Sequence, residues 1–314
     1  MSEITTIFSG LWADFTAVLA PLAPYWADIK DFANSGFTAA LAGAFAGAWA
    51  AQRIAERNKL REEWQKEIRN TNTGIVLASA TCNLAYALKK QHITAMKESY
   101  DADCKEKDAY VLRVASGVPQ APLSVAPNLL SLHEISPPVD TLQEIVLGRL
   151  STTGRALAAT TAVADAIRNL NNAIEKRNEL IERIKDEKLP EGARLHHFYF
   201  GMPYAEGKAN QEYGGYVTAL ALYTDDAIFF SIKLCDDLRE HGLVIAKKYK
   251  KKFGGKAPGI SNIDWKKGEE EGLLPKDEGY ENWLDGFKPL EKPALRWWQL
   301  FKKVARYIAQ RRTK

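Results

Sequence analysis

The chain has 314 residues, of which 46% are hydrophobic and 26% charged, with a net charge of +4 and a mean hydropathy of -0.30. That much charge excludes a polytopic transporter and leaves room for one sizeable domain, or two small ones, beside a membrane element. Three scattered cysteines (Cys82, Cys104 and Cys235) with no CxxC spacing point to a reducing compartment and to neither a disulfide scaffold nor a zinc site.

Residues 1–31 read as an amphipathic interfacial segment. Between residues 4 and 27 the only charge is Asp14, and Ile4, Phe8, Leu11, Phe15, Val18 and Leu22 follow a helical period. Pro21 and Pro24 then break the helix. One placement lays it in the membrane interface, with Trp12, Tyr25 and Trp26 at headgroup level. The other takes it across the bilayer as half of a hairpin and makes Asp14 an intramembrane carboxylate facing a water-filled path. The interfacial placement is favoured.

Residues 32–52, FANSGFTAALAGAFAGAWAAQ, carry no charge and would span roughly 30 Å as a helix, the thickness of a bilayer core. Gly36, Ala40, Gly43, Gly47 and Ala51 fall on one face; Phe37, Leu41, Phe45 and Trp49 fall on the other. Small residues let helix backbones approach closely, so this partition suits a transmembrane helix that packs against other helices. A buried helix of a soluble protein also accepts alanine and GxxxG, but has less use for a complete division over five turns. Arg53, Arg57, Lys59, Arg61, Lys66 and Arg69 follow, whereas Glu3, Asp14, Asp28 and Asp31 face Lys30 alone on the other side. The positive-inside rule therefore places the longer C-terminal part in the cytoplasm, with residues 32–52 in the membrane.

Residues 53–252 read as a cytosolic helical domain. A helix runs unbroken from Arg53 to about Lys107, with Leu60, Trp64, Thr71, Ile75, Ala78, Cys82, Ala85 and Ile93 on its apolar face and Asn70, Asn72 and Asn83 along it. Residues 115–139 hold five prolines and suit a non-helical excursion, with a short helix at Leu129–Leu132. Asp140, with Gln143 in the capping-box position, starts a helix from Thr141 to about Lys188. Val163, Ile167, Leu170, Ile174, Ile181 and Ile184 keep a/d spacing there, with Arg177 as the polar exception, a pattern of coiled-coil-like packing. A hinge precedes a further helix over Tyr213–Lys252. Residues 253–292 form an irregular loop region with short helices. Residues 293–314 form a basic amphipathic helix, suited to the anionic inner leaflet, to docking on the cytosolic helices or, more distantly, to nucleic acid. Strand signals are sparse, so the fold class is all-α.

Signatures of catalysis are missing: there is no GxxxxGK[ST], GxGxxG, HExxH or GxSxG and no zinc-spaced Cys/His set. Adjacent His196 and His197 point in different directions, and Asp225-Asp226 and Asp236-Asp237 read as solvated helix surface. No catalytic residue, metal or cofactor is expected, and the chain does not read as an enzyme. Basic groups beside stackable rings point instead to a ligand. Lys247, Lys248, Lys250, Lys251 and Lys252, with His196, His197 and Tyr199, are the candidates for a nucleotide or a short oligonucleotide; a duplex is not expected. The plainer reading makes the lysines a solvated helix end and the rings core residues.

A short N-terminal membrane segment followed by a soluble helical domain resembles the layout of the small membrane effectors of bacterial anti-phage defence. The Hailong channel effector is the nearest in plan. The resemblance is one of architecture, without a shared motif, and implies a homo-oligomer such as a tetramer, embedded in lipid and working as a gated pore under control of its cytosolic domain. Phe37, Leu41, Phe45 and Trp49 would form the gate of such a pore if they faced inward, with Asp14 a further candidate, whereas the small-residue stripe argues that the large residues face lipid. The alternative from another class is a non-conducting membrane-anchored scaffold or partner-binding protein, which the small-residue face of residues 32–52 serves equally well.

Overall fold

Apolar residues at helical spacing, few strand formers and prolines confined to the connections give a chain built of helices. The computed structural model describes residues 36–288 apart from 118–120, 122, 124, 126, 153 and 187. The segment 1–31 with Asp14, the helix expected at 293–314 and the side chain of Phe37 lie outside the described residues. The fold is all-α, and no strand occurs among the described residues. In chain order the helices are α1 (Gly36–Leu88), α2 (Thr94–Ala115), α3 (Val139–Arg149), α4 (Arg155–Lys185), α5 (Leu195–Phe200), α6 (Glu212–Phe253), α7 (Lys266–Glu270) and α8 (Glu281–Asp285). The chain divides into two units, Met1–Gln65 and Lys66–Lys314.

In the first unit the described residues belong to α1 alone. Among the described residues no helix is both long and apolar enough to cross a membrane. The physical reason lies in the composition of α1. Its length suffices, but glycines add no hydropathy, alanines only a moderate amount, and Gln52 and Arg53 close the apolar run. The span expected at residues 32–52 thus has no support from hydropathy in the described part.

The second unit is organised by the α4–α6 pair, with residues 66–88 of α1 and the short α3 against it. One core cluster joins Ile75, Ala78, Cys82 and Ala85 of α1, Leu142 and Val146 of α3, Val163 and Ile167 of α4, and Ile228, Leu234 and Leu238 of α6. Gly74 lets α1 and α6 come close: a Cβ there would lie 3.0 Å from Cδ1 of Leu238. A second cluster carries the core onward through Ile93, Met96, Leu170, Ile174, Leu180, Phe198, Tyr199, Tyr213, Val217 and Leu220. The a/d residues of α4 are all buried, and they pack within the chain.

Three local expectations give way to physical detail. The helix through residue 107 extends to Ala115, but Lys89–Ile93 is a π-helical turn. The extra residue in that turn shifts the helix face and leaves Lys89 Nζ on Asp225 Oδ1 (2.5 Å) and on the carbonyl of Leu273 (2.6 Å). The helix expected over 141–188 begins instead at Val139, after Pro138, with Asp140 in its first turn and no side-chain cap. It is also broken between Arg149 and Arg155, where Gly154 takes a φ of +64° that favours glycine. Residues 129–132 are not helical, and α4 holds their backbone directly, as described below.

Candidate assembly surface and ligand-facing groups

From Ala40 to Lys59 every residue of α1 is exposed. Phe45 is 70% and Trp49 63% accessible, and nothing lies within 4 Å of where a Cβ would stand on Gly43 or Gly47. Both stripes seen in the sequence are therefore open along this part of the helix: Ala40, Gly43, Gly47 and Ala51 on one side, Leu41, Phe45 and Trp49 on the other. Of these, Trp49 has a cationic neighbour within the helix, with the Arg53 guanidinium 5.2 Å from its ring centroid. Two turns of bare glycine backbone beside exposed aromatic rings form a surface suited to close helix packing.

The ligand candidates fall at opposite ends of α6. Tyr199 lies by its start: the ring is buried, sits 4.8 Å from that of Tyr213, and donates its hydroxyl to Asp103 at 2.6 Å. Burial and Asp103 together push its pKa well above the ordinary tyrosine value. His197 takes the backbone N–H of Arg194 on Nδ1, closing a capping box on α5. The His196 ring lies 4.1 Å from it, tilted by 55°, and burial holds the His196 pKa below the ordinary value, with help from His197 and Arg194. The five lysines are exposed at the far end of α6, and 34 residues of helix between Tyr213 and Lys247 amount to about 50 Å. The structure does not bring lysines and rings into one site.

The paired aspartates are engaged as well. Asp225 pairs with Lys89, Asp226 accepts from the Tyr280 hydroxyl at 2.7 Å, and Asp237 holds Arg155 with both oxygens. Asp236 is pushed above the ordinary carboxylate range by burial, with Lys233 pulling the other way. Among the described residues no group of three or more His, Cys, Asp or Glu is placed to hold a metal ion.

Side-chain clamps on extended backbone are the feature that sequence reasoning missed. Asn178 donates Nδ2–H to the carbonyl of Leu132 (2.7 Å) and accepts its N–H on Oδ1 (3.0 Å). Asn171 does the same for Ile135, at 2.8 and 3.1 Å. Seven helical residues rise about 10.5 Å and three extended residues about 10 Å, so the two registers match. Between them Arg177, the polar exception of α4, is fully buried and caps the carbonyls of Leu130 and Asn128, both at 2.8 Å. Its partners are neutral, and burial lowers its pKa while Tyr213 opposes that shift. On α1, Asn72 holds a second non-helical segment in the same two-point way, through the carbonyl of Gly259 (2.8 Å) and the N–H of Ser261 (2.9 Å).

A second polar junction lies where the α3–α4 connection meets α1 and α6. Glu67 Oε1 accepts the N–H and the hydroxyl of Ser151, both at 2.7 Å, and lies 2.8 Å from His241 Nε2. Burial acts to raise the Glu67 pKa, but the Ser151 and His241 hydrogen bonds outweigh it and leave the carboxyl below its ordinary value.

No protein-family model, curated protein or solved structure matches the chain.

Proposed function

We propose that this chain is a homo-oligomeric protein of the bacterial inner membrane, assembled through the N-terminal part of α1 and working as a gated pore under control of the helical domain that begins at Lys66. The observation that carries the proposal is the open face of α1, with Gly43 and Gly47 bare and Phe45 and Trp49 exposed. So much apolar surface on one isolated helix requires a cover. A glycine- and alanine-rich helix is a poor solitary span, and association answers that weakness: the small face meets another helix and only the Leu41–Phe45–Trp49 face meets lipid. Arg53, Arg57, Lys59 and Arg61 then mark the cytoplasmic end, and a ring of enough such helices encloses a path along its axis.

The experiment has two parts. Purified full-length chain in detergent is weighed, and the same sample is tested for conductance in planar bilayers. Discrete conductance from a closed oligomer supports the pore. A stable oligomer silent across voltages makes the chain a non-conducting scaffold, the alternative noted above. A chain that fails to fractionate with membranes and runs as a monomer removes both readings.

A further inference from the structure

A cleft of about 300 Å³ lies between α1 and the segment leading into and past α7. Its α1 side is built by Cys82, Asn83, Tyr86 and Lys90, and its other side by Trp265 and Lys267. The opposing segment is fastened on both flanks. Asn72 grips it at Gly259 and Ser261, and Glu271 holds Lys90 Nζ with both oxygens, at 2.8 and 2.7 Å, while also accepting from Tyr86. The far wall is thus tied to the α1 side at both flanks, at one of them through Lys90, a cation that a competing anion can take from Glu271.

The asparagines sharpen what it can hold. Asn72, Asn171 and Asn178 each satisfy one backbone donor and one backbone acceptor at once. Asn83 stands three turns beyond Asn72, and its amide has no hydrogen bond within the described protein. A donor beside an acceptor is the edge that every nucleobase presents, and an asparagine reads it with two bonds. Trp265 offers a flat ring for stacking. Lys90 and the exposed Lys267 supply cations for an anion, set against the one carboxylate of the same lining, Asp264. At about 300 Å³ the cleft lies at the small end of ligand pockets and has room for one nucleotide rather than two.

We propose that this cleft binds a nucleoside monophosphate, with the base edge on Asn83, the base against Trp265, and the phosphate on Lys90 and Lys267 in place of Glu271. This goes beyond the assembly reading and does not depend on it. It moves the nucleotide expectation from the lysines at the end of α6 to a site where ring, amide and cations converge.

Isothermal titration of the full-length protein in detergent with AMP, GMP, CMP, UMP, their nucleosides and inorganic phosphate tests it. Saturable binding of at least one monophosphate is expected, weakened about tenfold by Asn83→Ala and by Lys267→Ala, each removing roughly one good polar contact. Both side chains are exposed and lack hydrogen bonds in the described protein, so both variants should keep the wild-type melting temperature. The proposal is overturned by no saturable heat with any monophosphate at millimolar concentration or by affinities unchanged in both variants. It is equally overturned by equal affinity for a nucleoside and its monophosphate, or by phosphate alone binding as tightly. Oligomer mass measured on the same sample separates failure here from failure of the assembly reading.

Discussion

Replacing Asn178 with leucine removes two hydrogen bonds that hold the Leu132 backbone on α4, at 2.7 and 3.0 Å. Each neutral hydrogen bond contributes about 0.5–1.5 kcal/mol net, so the variant should lose about 1–3 kcal/mol locally. Asn171→Leu removes the equivalent pair at Ile135. The two losses should not add, because the segment needs to detach only once, and detachment also strips the fully buried Arg177 of the Leu130 and Asn128 carbonyls. Hydrogen exchange of residues 128–135, followed by mass spectrometry on the full-length protein in detergent, reads this directly. A local loss of 1–3 kcal/mol speeds exchange at the Leu132 amide by roughly 5- to 150-fold. Wild-type exchange rates in both single variants would refute the clamp.

Other outcomes follow from the core and the polar junctions. Leu170→Ala, at a fully buried position of α4, should cost about 2–5 kcal/mol in chemical denaturation; a loss under about 1 kcal/mol would mean that the second core cluster is loosely packed. The lowered pKa of Glu67 makes its contribution present above the ordinary carboxylate range and lost as pH falls through the folded-state value. The melting-temperature gap between wild type and Glu67→Gln should accordingly be largest near neutrality and close in acid, and a gap constant across pH would contradict the junction. Cys82, whose thiol burial pushes up to about 12, and Cys235, shifted the same way, should resist thiol reagents in the folded protein and react only after unfolding. Rapid labelling of either in native protein would place them outside the core.

The long helices were legible because their apolar residues repeat at helical spacing. Val163, Ile167, Leu170, Ile174, Ile181 and Ile184 all reach the core, and α6 at Glu212–Phe253 differs from the expected Tyr213–Lys252 by one residue at each end. Arg177 shows the limit of periodicity. It occupies a buried position with its charge intact because an extended segment, 47 residues away in sequence, brings it carbonyls. Asparagines seven residues apart are the one trace of that clamp in the sequence, and such a spacing means nothing until an extended partner is known. The break between α3 and α4 was hidden for a similar reason. Gly154 allows it, but Glu67, 84 residues earlier, receives the turn through Ser151. The nucleotide candidates share chemical type but not place, and the length of α6 sets them apart.

Assembly through α1 is the central claim, and the mass of the full-length complex in detergent tests it most directly. The account predicts a closed homo-oligomer for the wild type and a smaller species for the Gly43→Leu, Gly47→Leu double variant, since leucine fills the bare stripe along which helices approach. A monomeric wild type, or an oligomer whose mass survives both substitutions, would contradict it.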